Sequence, residues 1–478
     1  MSRDPRPTAP LPDEPAPGVR EPMADDPAVA SHAQRLRARC EDGTVRVGVI
    51  GLGYVGLPLA LAFAEAGVTV HGFDVDAAKI ARLRAGEGYI QHLDAGRVAR
   101  AVADGRFVPE DDFAQLATPD ALLICVPTPL DPAHEPDLRY VDATAAQIAR
   151  NLRPGQLVVL ESTTYPGTTD ERLRPVFEHT GLRCGIDFFL AYAPEREDPG
   201  NARFGLGDIP KVVGGVDAPS GDLAEALYRR IVPRVVRVGT ARAAEATKLT
   251  ENIFRAVNIA LVNELKVLYD ALDIDVWEVL DAAATKPFGF MRFTPGPGWG
   301  GHCIPIDPYY LSWRAAQVGG EARFVELAGT INREMPGYVI ARLTAALEAR
   351  GVALDGASIL LLGLAYKPDI DDPRESPAFA LLDALLAGGA RVAYHDPHIP
   401  EAPAMRTWPR LPAMTSRALD ADALAQHDAV LLVTDHRAVD YDFVRRHARL
   451  IVDTRGVYRP PAPGAPAEDP ALAPVVRA

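Results

Sequence analysis

The chain has 478 residues, 48% of them hydrophobic and 24% charged, and a formal net charge of -14. That length leaves room for two or three domains with cores of their own, in a composition typical of globular proteins. The acidic balance excludes a general nucleic-acid or anionic-membrane binder, so an anionic substrate must be gripped by a local cluster of Arg and Lys.

Four cysteines, Cys40, Cys125, Cys184 and Cys303, stand far apart and form no CxxC. Neither a disulfide framework nor a zinc site is suggested by them, and no metal is expected. Free thiols fit a reducing cytoplasm, and no apolar run is long enough to span a bilayer.

Residues 1–44 are rich in Pro, Ala and acidic side chains and carry no apolar signal-peptide core. They read as a disordered extension ending in a short basic stretch, Arg35 to Arg39. Val45 to Ile50 then reads as a buried strand, followed at once by Gly51-Leu-Gly-Tyr-Val-Gly56 and an alanine-rich helix. In that context GxGxxG is informative. Gly51 allows the turn, Gly53 lets a pyrophosphate approach, Gly56 lets the helix pack closely, and Tyr54 and Val55 complete the loop. A second strand ends in Asp74, where a ribose 2′-hydroxyl would sit, so NAD is preferred over NADP despite nearby Lys79 and Arg82.

Two more strands run into Pro127-Thr128-Pro129 and Glu161-Ser-Thr163-Thr164. Ligands collect beyond the carboxyl ends of parallel strands, which makes Thr128, Glu161 and Thr163 candidates to line the nicotinamide side. Residues 45–240 thus form an NAD-binding Rossmann domain.

Ala241 to about Leu272 has helical periodicity without Gly or Pro, and residues 241–350 are read as a central helical domain. Lys248, Asn252 and Arg255 fall on one stripe, while Leu249, Ile253, Val257, Leu261 and Leu265 supply an apolar face. Only six of the 50 basic residues are lysines, so Lys248 and Lys367 suggest chemistry that arginine does not perform. A loop dense in glycine and proline, residues 295–308, presents Cys303 beside His302 and before Asp307. It suits a positioned thiolate nucleophile. Residues 351–458 repeat the strand–turn pattern without an intact GxGxxG, and residues 459–478 read as a loose tail. The fold class is α/β, with two Rossmann-like parallel-sheet domains joined by a helical domain with one long helix.

Five motifs, taken together and in order, resemble the nucleotide-sugar 6-dehydrogenases of the UDP-glucose/UDP-N-acetylhexosamine family. They are the GxGxxG loop through Pro58, Pro194 to Asn201, Glu245 to Asn252, the Cys303 loop, and Gly363 to Pro368. The resemblance implies oxidation of a sugar C6 alcohol to the acid in two hydride transfers, through a thiohemiacetal and thioester on Cys303. It implies that Lys248 and Asn252 hold the charged oxygen, Asp307 sits near the thiol, and Glu161 is the general acid/base. Arg196, Arg255, Phe288, Gly296, Tyr366 and Lys367 would contact the UDP-sugar, residues 351–458 would bind its UDP, and Arg374 would reach the cofactor. His302, Ile306 and residues 287–291 are most similar to the UDP-N-acetylglucosamine enzymes, although Arg292 stands where that group carries proline. The product would supply acidic sugars for surface polysaccharide. UDP-glucose or UDP-N-acetylmannosamine is the alternative substrate; a one-step hydroxyacid dehydrogenase or a silent nucleotide-sugar binder is more remote. The resemblance and the long helix imply a homodimer or higher homo-oligomer.

Overall fold

The computed structural model describes residues 27–90, 93–131, 133, 135–196, 207–301, 304–405, 407–459 and 469–478. Its first sheet has eight strands: β1 (Arg46–Ile50), β2 (Thr69–Phe73), β3 (Phe107–Glu110), β4 (Ala121–Ile124), β5 (Leu157–Leu160), β6 (Phe189–Tyr192), β7 (Lys211–Gly215) and β8 (Val235–Arg237). They lie in the order β3-β2-β1-β4-β5-β6-β7-β8. All neighbours are parallel except β6 and β7, which pair antiparallel with Tyr192 opposite Gly214. Strands β4 and β5 are buried along their whole length, as continuous apolar runs should be when both sheet faces are covered.

The second sheet contains β9 (Ser358–Leu362), β10 (Arg391–His395), β11 (Ala429–Leu432), β12 (Ile451–Asp453) and β13 (Val475–Arg477). It is all parallel, in the order β10-β9-β11-β12-β13. The expected pair of Rossmann-like sheets is therefore present.

Between them runs the long helix Ala241–Ala271, capped by Thr240, whose hydroxyl accepts the Ala243 N–H at 3.1 Å. It packs along the helix Arg323–Glu348 and against the helix Asp307–Gln317. Its buried side differs from the apolar face expected from periodicity. Lys248, Asn252 and Lys266 are buried, whereas Leu261 and Leu268 are exposed. The helix is sandwiched by polar as well as apolar neighbours, so hydrophobicity alone did not select its inner face.

The described parts of both end segments correct the expectation of loose tails, while residues 1–26 and 460–468 lie outside the described residues. Pro27–Asp42 is a helix packed on the helix Ala218–Tyr228, with Leu36 and Cys40 inside the first core. Within the basic stretch, Arg39 bonds Asp120 at 2.7 Å, so the extension is tied to its own domain. At the other end β13 closes the second sheet, and Ala478 is buried in its core. Each segment has too few apolar residues to announce itself, yet each covers an otherwise open edge or face. Among the described residues, no helix is long and apolar enough to cross a membrane.

Candidate active site

Gly51 comes directly after β1 with φ of 91°, and a Cβ there would stand 2.6 Å from the Cys125 carbonyl oxygen. A Cβ on Gly56 would stand 1.9 Å from Gly51 O, so turn and helix close together only on glycine. Gly53 differs: no atom lies within 4 Å of its would-be Cβ, which leaves its backbone open to a ligand. The helix Gly56–Glu65 begins here, and its N-cap Val55 makes no side-chain cap bond. The first N–H groups are thus suited to a phosphate.

Asp74 directly follows β2 and is pinned to this turn. One carboxylate oxygen accepts the Leu52 N–H at 3.0 Å, and the other accepts the Asp76 N–H at 2.9 Å. Lys79 Nζ approaches to 3.7 Å. Thr128 is buried, its carbonyl accepting the Tyr310 hydroxyl at 3.1 Å, and Thr163 is half-buried on the loop after β5. From the second domain, the Arg374 guanidinium lies 4.4 Å from the Tyr54 ring centroid and is held by both oxygens of Asp372. An open glycine, an uncapped helix start and an acid at the second strand's end together fit NAD.

Beyond the same sheet edge, the polar stripe of the central helix meets two loops. Lys248 Nζ donates to the Glu195 backbone oxygen at 2.6 Å. Asn252 Nδ2 donates to Asp307 at 2.5 Å, and its own oxygen accepts from Arg255. Asp307 is the first residue of its helix and is buried. Burial pushes its carboxyl up to about 6, against the opposing pull of Lys248, Asn252 and Arg255. Arg255 also lines a hollow of about 500 Å³ with Glu251, Phe254, Met291 and Phe293. Phe288, 70% exposed, stands on the adjoining loop under the Lys286 ammonium. Arg196 is tied to Glu251 at 2.6 Å and to the Pro210 oxygen.

Cys303 and His302 lie outside the described residues. The described ends of their loop join both halves of the protein. Gly296 N–H donates to Asn263 on the central helix at 2.9 Å. Gly301, at φ 82°, donates to the Arg374 oxygen at 3.1 Å, and a Cβ on it would lie 2.8 Å from the Tyr366 ring. Lys367 Nζ is 5.9 Å from the centroid of that ring.

The structure places Glu161 in a buried ion pair. Its carboxylate is fully buried and accepts from Lys211 Nζ at 2.7 Å and from the Tyr228 hydroxyl. Glu195 borders Lys248 through its backbone oxygen, and its carboxylate reaches Lys211 at 3.4 Å. Glu195, Lys211 and Arg455 are the residues that sequence reasoning passed over. Arg455, just past β12, donates to the Val433 oxygen at 2.5 Å, and a Cβ on Gly296 would meet its guanidinium at 2.6 Å. Lys211 was marked only by the scarcity of lysine. Separately, Asp369, His398 and His436 bring three potential ligand atoms within 4.8 Å of one another. Both ring nitrogens of His436 are already engaged, by the Asp369 N–H and by Asp396.

Comparison with known proteins decides the family. Three models of the UDP-glucose/GDP-mannose dehydrogenase family match in order: the NAD binding domain over residues 45–232, the central domain over 242–334 and the UDP binding domain over 360–460. The chain belongs to the UDP-glucose/GDP-mannose dehydrogenase family. It is 35% identical over 426 residues to a UDP-N-acetyl-D-mannosamine dehydrogenase of Pyrococcus horikoshii, covering 88% of this chain and 97% of that one. It is also 35% identical over 394 residues to a UDP-N-acetyl-D-glucosamine 6-dehydrogenase of Pseudomonas aeruginosa, covering 82% and 90%. The solved structure of UDP-D-ManNAc dehydrogenase from P. horikoshii superimposes with a TM-score of 0.79 at 33% identity, over 87% of this chain and 97% of that one. This family member is an NAD-dependent nucleotide-sugar dehydrogenase, and its family oxidises the sugar in two steps to the uronic acid.

Proposed function

We propose that the enzyme oxidises the C6 alcohol of a UDP-N-acetylhexosamine to the carboxylate, with UDP-N-acetylglucosamine as the first substrate to test and Cys303 as the nucleophile. The observation that carries this reading is the buried cluster of Lys248, Asn252 and Asp307, next to the described ends of the Cys303 loop and beyond the NAD turn. The names of the relatives support an N-acetylhexosamine, and they include both the gluco and the manno sugar.

The turn at Gly51, Gly53 and Gly56, with Asp74, would hold NAD, which supplies the hydride acceptor when bound. Glu195, rather than Glu161, would take the proton of the C6 hydroxyl as the first hydride leaves C6. The Cys303 thiolate would add to the aldehyde carbon, keeping it on the protein as a thiohemiacetal. Lys248 and Asn252 would stabilise the oxygen that bears negative charge. Loss of the second hydride gives a thioester, which water hydrolyses to the acid, releasing the thiol. Two hydrides leave per sugar, and water supplies the second carboxylate oxygen. Asp307, with its carboxyl near neutral pH, is suited to exchange a proton with that water. Arg255, Tyr366, Lys367 and Arg455 would grip the nucleotide sugar, and a reducing cytoplasm would keep Cys303 free. Phe254, Leu261 and Leu268, exposed at seven-residue spacing on the central helix, would pack against a second copy in a homodimer.

The test is a panel of UDP-sugars with NAD, read as NADH formed per sugar consumed. Two NADH with an N-acetylhexosamine, and less turnover of UDP-glucose, is the expected result. Cys303→Ala should end complete oxidation while leaving NAD binding intact; two NADH per sugar at the wild-type rate would rule out covalent catalysis.

A further inference from the structure

Lys211 takes no part in the chemistry proposed for the site, yet it is enclosed beside it. It opens β7, and continuing the antiparallel register from the Tyr192–Gly214 pair sets it opposite Glu195. Its ammonium lies 2.7 Å from Glu161 and 3.4 Å from Glu195, and 5.1 Å from the Tyr228 ring centroid. The Lys211 and Glu161 side chains are only 3% and 0% exposed.

Burial by itself would strip the proton from such a lysine, but the Glu161 and Glu195 carboxylates reverse that and keep it charged. The Cys125 thiol, just beyond β4, also faces it. A buried ion pair is often no more stable than an apolar pair of the same volume. Stability alone is therefore a weak reason for a cation here. What the cation does reach is Glu195, which is clamped at three points. One carboxylate oxygen accepts the Arg196 N–H at 2.6 Å, the other faces Lys211, and its backbone oxygen accepts Lys248 Nζ at 2.6 Å.

We propose that Lys211 is a positioning residue for the oxidation: anchored by Glu161 and Tyr228, it fixes Glu195 so that the Glu195 carbonyl holds the Lys248 ammonium in place. This rests on the proposed reading of the site. The three residues come from separate strand ends, so the clamp exists only once β5, β6 and β7 are side by side. Without Lys211 the Glu195 carboxylate loses one of its anchors, and the carbonyl that orients Lys248 is held less firmly.

Lys211→Met alone leaves Glu161 as an unpaired buried charge and risks unfolding. The informative comparison is therefore Glu161→Gln against the double variant Lys211→Met/Glu161→Gln, in which no carboxylate is stranded at position 161. NADH formation is measured at saturating and limiting UDP-N-acetylglucosamine and NAD, together with thermal melting. Glu161→Gln, whose amide oxygen can still accept from the Lys211 ammonium, should lower kcat less than the double variant does. In the double variant kcat should fall by about 10-fold to 100-fold, part of the effect of a positioned acid–base and oxyanion group. Both KM values should stay within about threefold, because the lost contact acts on the transition state rather than on binding. A folded double variant with wild-type kcat, or one in which only KM rises, overturns the inference. Wild-type protein that makes no NADH with any UDP-sugar would instead overturn the reading of the site, and this inference with it.

Discussion

The two sheets begin with the same device and use it differently. In the first, β1 turns at Gly51 and the acid at the end of β2, Asp74, accepts the Leu52 N–H. In the second, β9 turns at Gly363 (φ 93°), and the acid after β10, Asp396, accepts the N–H groups of Leu364 and Ala365. The segment after the turn separates them. The first turn runs straight into the helix Gly56–Glu65, whereas the second continues through Tyr366, Lys367 and Arg374 before the helix Pro377–Ala387 begins. Asp396 is also locked to His436 at 3.1 Å, with both side chains fully buried. A strand, a glycine turn and an acid therefore make a frame common to both sheets. An immediate helix start and an open Gly53 make it a dinucleotide site.

The sharpest way to break this comparison is at the glycines. Gly56→Ala drives a Cβ against Gly51 O and should weaken NAD binding by about 100-fold, equivalent to roughly 3 kcal/mol of overpacking. Gly363→Ala meets the Thr434 side chain at 2.5 Å and should lower the melting temperature while leaving the Kd for NAD unchanged. Calorimetric titration with NAD separates the two outcomes; equal loss of NAD affinity in both would erase the distinction.

The acids come next. Burial pushes Asp396 up, but its His436 partner and the backbone N–H groups outweigh this and bring its carboxyl down to about 2. A depressed carboxyl stabilises the fold above its unfolded value, and that contribution is lost as pH falls through the folded value. Asp396→Asn should therefore cost about 2–4 kcal/mol near neutral pH, since it breaks a buried hydrogen-bonded charge. The gap from wild type should narrow as pH falls from about 4 towards 2, which melting curves across pH would record. Asp74→Ala, at the matching place in the first sheet, should shift cofactor choice at a smaller cost in stability. We expect the preference for NAD over NADP to fall by about tenfold, because the like-charge barrier to a 2′-phosphate is gone, with about 1–2 kcal/mol lost where the Leu52 and Asp76 N–H groups lose their acceptor. A stability loss as large as that of Asp396→Asn would show that both acids are only structural.

The smallest effect is expected between the domains. Arg374 stacks on Tyr54, so Arg374→Ala should raise KM for NAD by a few-fold, about the 1 kcal/mol of a half-exposed cation–π contact, with kcat little changed. Steady-state kinetics with varied NAD decides it.

Much of this protein was legible in its sequence because the relevant signals are local. The run from Val45 to Gly56 and Asp74 specifies a strand, a turn, a helix start and an acid within one βαβ unit. The spacing of Lys248, Asn252 and Arg255 assigns them to one stripe of one helix. Tertiary structure decided what that stripe does: Asp307 and Glu195, distant in sequence, turn a polar face that could have been solvated into a buried one. It decided Glu161 likewise, because a carboxylate's role depends on which cation folding brings to it, and that cation, Lys211, lies fifty residues away. It also recruited the helix Pro27–Asp42 and strand β13, whose compositions read as tails. Local pattern sets the backbone's turns and periodicity by sterics and hydrogen bonding. Which charges are buried, and with whom, depends on the low-dielectric environment that exists only after the strands and helices have packed.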